Sequence, residues 1–290
     1  MFFFIMSGFF LARQNQDADI SVTVKKKICH LYPVFVFSLL CCAFFGLDPQ
    51  KAQAVLANLL FLDSGSGFVK FDSPNPVGWY VCVLFWLSIF FLLLWKSLPP
   101  RSITLCMGLI CAVSWILMNR LPPEAVNYNS PIFVLLTPGL VNALFSMSFG
   151  YFLSQLPKPS FSQARLSVFI RYAIMVVLLF LLCHHMAFRK PRYGTIMYLF
   201  WFVPLFWFCL CDQGAKLFSV LGRYSYSIFM MQWAAFGLCR RTLWLHEDFV
   251  KENPVLTVAL SIIYCVALGV AAYHLVERPG AAFLKKKLLG

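Results

Sequence analysis

The residues whose types suit chemistry lie at the ends and in the middles of long apolar runs. In Leu221–Trp233, LGRYSYSIFMMQW, Ser225 and Gln232 stand seven apart, so they share one helical face. At about 1.5 Å per residue, Gln232 sits roughly 13–14 Å beyond Arg223, close to mid-bilayer. An unpaired amide at that depth costs several kcal/mol, so Gln232 must face a bundle interior or a wet cavity. It serves there as packing glue or as part of a site. Glu277, beside Arg278 and Pro279 at the end of an apolar run, is either a local ion pair with a stop signal or a group holding an entrance. His184 and His185 are a possible metal or proton-shuttle pair. Adjacent helical side chains diverge by about 100° and seldom ligate one ion, so an interfacial structural role is the better reading and no metal is expected.

The elements that must position these residues belong to a membrane protein. Hydrophobic residues are 61% of the chain and charged residues only 12%, with mean hydropathy +0.77. No soluble 290-residue domain could hide so much apolar surface. The net charge of +13 does not point to nucleic acid, because the cations are scattered between apolar segments as topology determinants. The eleven cysteines show no CxxC or Cys/His metal spacing and mostly lie within apolar stretches. They read as small buried hydrophobes.

The fold class is all-α, a polytopic helix bundle of about nine spans. They are placed at approximately 2–12, 31–47, 78–96, 102–119, 132–155, 166–184, 194–211, 223–239 and 255–276. No polar block is long enough for a second domain, so residues 1–290 form one membrane domain. Lys and Arg concentrate in one set of alternate loops, which includes Lys25–Lys27, Lys96, Arg101, Arg223, Arg278 and Lys285–Lys287. That set is cytoplasmic and places Gly290 inside and Met1 outside. A signal peptide at the first segment is disfavoured by the missing basic n-region and cleavage site.

Local motifs along the chain together resemble the acyltransferase-3 family of integral-membrane O-acyltransferases. Phe3, Phe4, Ser7, Gly8 and Phe9 resemble its "FF-x-x-SGF" helix, with a break at Ser7-Gly8 and a polar loop through Lys25–Lys27. Lys27 and Pro33 fit the "R-x-x-R-x-x-P" entry to the next helix, with His30 where the family usually has Arg. Trp79-Tyr80 matches the family's "W-Y-L-S" entry, after the turn-rich Ser73–Pro76, while Leu84 stands at its Glu position. The pair reads as an aromatic belt or as part of an acceptor mouth. Gly222, Arg223, Ser225, Tyr226, Ser227 and Trp233 fit "LG-[KR]-x-SYS-x-Y-x-x-H-W", with Gln232 at the histidine position. Glu277-Arg278-Pro279 resembles the closing "E-[KR]-P".

The resemblance implies transfer of an acyl group, usually acetyl, from cytoplasmic acyl-CoA to a hydroxyl of a cell-surface glycan or lipid-linked sugar. The enzyme would be an O-acyltransferase of a bacterial inner membrane, with membrane lipids around it, acetyl-CoA as co-substrate and no bound cofactor. The substrate-binding residues implied are Ser7, Trp79, Tyr80, Arg223, Ser225, Tyr226, Gln232 and Glu277. The family's catalytic base is a histidine of a first helix that has no counterpart after Met1. On that reading the domain is N-terminally truncated, as a fragment, a misplaced start or a degenerate homologue, and residues 1–290 alone transfer nothing. His30 and His185 are the weak remaining candidates for a base. One alternative is a polytopic transporter of a glycan or lipid-linked precursor, although no internal repeat is visible. Another is the separate membrane-bound O-acyltransferase type, with His185 as base.

Overall fold

The computed structural model describes residues 2–14, 19–45, 52–63, 73–120, 137–157, 169–170, 173–174, 176–177, 203, 216–242 and 253–290. Every regular element among them is helical: α1 (Phe2–Ala12), α2 (Ile20–Phe45), α3 (Ala52–Leu59), α4 (Gly78–Ser97), α5 (Pro100–Arg120), α6 (Pro138–Gln155), α7 (Lys216–Thr242) and α8 (Pro254–Ala272). A π-helical turn, Tyr273–Glu277, then leads without a break into α9 (Arg278–Leu288). Ile20–Phe44, Gly78–Ser97, Pro100–Arg120 and Val255–Leu288 are each long and apolar enough to cross a membrane. The chain is a multi-pass, helical membrane protein. The expected spans at 166–184 and 194–211 lie largely outside the described residues, as does His185.

The chain divides into two compact units. One comprises residues 1–16, 97–128 and 141–215; the other comprises 17–96, 129–140 and 216–290. In the first, α1 and α6 touch backbone to backbone. A Cβ on Gly8 would lie 2.7 Å from Met147 Cα, and one on Gly150 would lie 2.8 Å from the Phe9 nitrogen. Missing side chains are what permit this approach, as in other membrane helix pairs. Ile5, Phe9 and Leu153 fill the seam. The expected break at Ser7-Gly8 does not occur. Ser7 Oγ donates to the Phe3 carbonyl at 2.8 Å, and Gly8 is used for packing inside a continuous helix.

In the second unit, α2 begins well before the apolar run, so Lys25–Lys27 are helical and not in a loop. Asp19 starts the helix: its Oδ1 accepts from Ser21 N at 2.9 Å and its carbonyl from Thr23 N at 3.0 Å. Pro33 lies inside α2. The core joins Val34, Phe35 and Leu39 of α2 to Val81, Cys82 and Phe85 of α4 and Met230, Met231 and Ala234 of α7. Phe61, with φ of 57°, stacks on Phe85 at 4.3 Å and Phe35 at 5.2 Å, which folds the end of α3 back onto that core.

Helices α7 and α8 run antiparallel. Tyr224 meets His274, Ile228 meets Gly269, and the Gln232 carbonyl meets Cys265. Helix α2 runs parallel to α7, because Tyr226 bonds Leu31 at one end and Arg241 bonds Phe44 at the other. One end of this unit therefore collects Lys27, His30, Arg223, Glu277 and α9.

Candidate active site

A group of polar side chains of the second unit lies at that end, between α7, α2 and the π turn. Ser227 is fully buried, and its Oγ donates a hydrogen bond to Glu277 Oε2. One turn earlier on α7, Tyr224 Oη meets His274 Nε2 at 3.2 Å, and its ring sits edge-on to Tyr273 at 4.9 Å. Tyr226 Oη donates to the Leu31 carbonyl at 2.9 Å. The result is a polar ladder of two rungs, Tyr224–His274 and Ser227–Glu277, with Tyr226 tying it to α2.

The π turn aims Glu277 at Ser227, and Pro279 accounts for the turn. Proline has no N–H and crowds the carbonyl four residues back, here Leu275. The helix widens, and Arg278 N–H bonds the Tyr273 carbonyl five residues back. Such turns concentrate at functional sites. Within the Glu277-Arg278-Pro279 motif, Pro279 is the sequence signal for this helix irregularity.

Cations lie at the same end. Lys27 is half-buried and His30 exposed on α2, one turn apart. Lys285 of α9 lies near enough to act on His30 electrostatically. The α2–α9 contact is close, since a Cβ on Gly280 would fall 2.7 Å from Pro33 Cβ. Arg223 is exposed at the corresponding level of α7. Such a set suits an anion rather than a proton carrier, because three of its members, Lys27, Lys285 and Arg223, carry amines or a guanidine.

The remaining expected residues are more dispersed. Ser225 is exposed, and its Oγ returns to the Gly222 carbonyl at 2.8 Å. Ser227, two residues on and about 200° around the helix, takes the inward position instead. Gln232 is half-buried further along α7. Trp79 and Tyr80 are half-buried at the start of α4, with rings edge-on at 6.4 Å, and Tyr80 packs on Phe229 at 5.4 Å. Ser7 belongs to the first unit.

Three residues in the second unit escaped sequence reasoning: Ser227 as the buried serine, His274 and Asn75. Asn75 is fully buried, donating to Ser38 Oγ at 3.0 Å and the Met230 carbonyl at 2.9 Å. Its Oδ1 accepts from Val77 N at 3.2 Å, a turn typical of Asn before such a bend.

A family model described as an acyltransferase domain matches residues 1–274. The chain belongs to the acyltransferase-3 family. Within this family assignment, the matched range takes in α1, α2, α4, α7 and α8, with Lys27, Trp79, Arg223 and Ser227, and ends three residues before Glu277. No curated protein and no solved structure gives a significant match.

Proposed function

We propose that this acyltransferase-3 member is a membrane O-acyltransferase. It moves an acyl group, acetyl in our reading, from acyl-CoA to a hydroxyl of a cell-surface glycan or lipid-linked sugar. The observation that carries this reading is the family match over nearly the whole chain. The second unit supplies support of the right kind, a buried polar pair beside a cluster of cations.

In the transfer, the acceptor hydroxyl oxygen attacks the thioester carbonyl and its proton passes to a base. The C–S bond then breaks and CoA leaves as its thiolate. Catalysis needs charge complementarity to the donor's phosphates and hydrogen-bond donors for the developing oxyanion. Lys27, His30, Lys285 and Arg223 are assigned to the donor's phosphates. Glu277 holds Ser227 and so fixes α7 against the π turn. The acceptor side is assigned to Trp79 and Tyr80, whose aromatic faces suit a sugar ring. We assign the protein to a bacterial inner membrane with the donor end cytoplasmic, a sidedness that the Lys/Arg asymmetry supports.

The test is transfer from radiolabelled acetyl-CoA in membranes of cells expressing the intact gene. Label should appear in a glycan or lipid-linked sugar fraction as an alkali-labile ester. No label above control membranes, with monodisperse detergent-extracted protein confirming that the chain is folded, overturns the proposal.

A further inference from the structure

The Ser73–Val77 turn that leads into α4 lies deeper than a surface loop should. Asn75 bonds the carbonyl of Met230, which sits in the interior of α7 between Arg223 and Arg241. At about 1.5 Å per residue, Met230 is roughly 10 Å from the first arginine and roughly 16 Å from the second. The neighbouring helix α8, which lies within an apolar span, meets α7 at this depth through Cys265 and Gly269. Gly78 packs against Phe35 within the apolar run of α2. Irregular backbone therefore reaches the middle of the membrane.

At such depth a non-helical backbone is tolerated only where it is buried in protein or lines water. Most of the turn is buried: Ser73, Pro74, Asn75 and Gly78 are enclosed, and Asn75 is hydrogen-bonded on both sides of its amide. Pro76 is exposed, and among the described residues its carbonyl has no hydrogen-bond partner. Among the described residues, Ser73 Oγ is also buried without a hydrogen-bond partner. An unpaired carbonyl is not stable against lipid tails, whereas water satisfies it.

We infer that the Ser73–Val77 turn is the re-entrant floor of a water-filled vestibule that opens towards the Arg241 end and admits a polyhydroxylated acceptor to mid-membrane. The acceptor part rests on the transferase reading; the vestibule does not. The Phe44–Arg241 end is the side from which α3 reaches this depth, because α2 finishes there and Phe61, just after α3, stacks at the level of Phe35. Asn75 is the positioning residue that holds the floor to α2 and α7. Trp79 and Tyr80 follow directly at the start of α4, which places aromatic rings beside the floor.

The test is labelling of Pro76→Cys by a membrane-impermeant, charged thiol reagent applied from the Arg241 side. Val266→Cys serves as the control, because Val266 is exposed on α8 at nearly the depth of Met230. Both are read as the increment over the unsubstituted protein. Labelling of Pro76→Cys at least tenfold faster than Val266→Cys is the expected result. Equal rates, or labelling only from the opposite side, overturn the vestibule. In the same membranes, labelled Pro76→Cys should lose at least tenfold of its acetyl transfer relative to the unreacted variant. Full labelling with undiminished transfer overturns the acceptor route. Absence of transfer in the unsubstituted protein sinks the transferase reading, while the labelling rates still decide the vestibule.

Discussion

The α1–α6 pair and the α7–π-turn pair are both tight helix contacts, made by opposite means. In the first, Gly8 and Gly150 remove side chains so that two backbones meet. In the second, Ser227–Glu277 and Tyr224–His274 add side chains that hydrogen-bond across the seam. Glycine contacts make rigid scaffolding and leave nothing to react. A polar seam in a membrane protein is costly unless each group is matched, and the proposed donor site lies beside this one.

Substitutions can break that contrast. The largest effect is expected for Gly8→Leu, because even its Cβ collides with the Met147 main chain, which cannot move aside as a flexible side chain would. Overpacking costs about 1–3 kcal/mol and occasionally more. Monodisperse protein should be lost in detergent, and a normal melting profile would show that the helices are not in contact. Glu277→Ala comes next. It strips Ser227 of its acceptor, at about 1–3 kcal/mol for a buried unsatisfied group. It should lower transfer per folded molecule more than Glu277→Gln, whose amide oxygen still accepts. Equal behaviour of the two variants would remove the hydrogen bond from the account.

Two smaller effects sharpen the assignment. Lys27→Ala removes one charge from the donor end and should raise KM for acyl-CoA by about 3–10-fold, the worth of one charge-assisted contact. Because Lys27 is assigned to donor binding, kcat should change less than KM; a kcat-only defect would argue against phosphate contact. Ser225→Ala should be nearly silent, within about 0.5 kcal/mol, as for other exposed positions. A Ser225→Ala defect as large as that of Ser227→Ala would reverse the inward and outward faces of α7.

The membrane class and the helices α4 to α8 were legible in the sequence, because long apolar runs leave little choice in lipid. The start of α2 was not, since Lys25–Lys27 look like a loop until Asp19 is recognised as a cap. Ser225 and Gln232 were singled out by their shared face, yet the partner that orients α7 is Glu277, and its reach depends on a π turn. A period of 3.6 residues cannot anticipate that local widening; only Pro279 hinted at it. Asn75 was hidden for a related reason. Pro-rich turns between apolar runs read as surface loops, and nothing local says that one folds back into the bundle.

The central claim is that the Lys27–Glu277 end receives acyl-CoA from the face that carries the C-terminus. Sealed vesicles of both orientations, supplied with radiolabelled acetyl-CoA on the outside only, test it most directly. Inside-out vesicles should form labelled ester and right-side-out vesicles should not, until they are permeabilised. Transfer confined to right-side-out vesicles, or absent from both with folded protein present, contradicts the account.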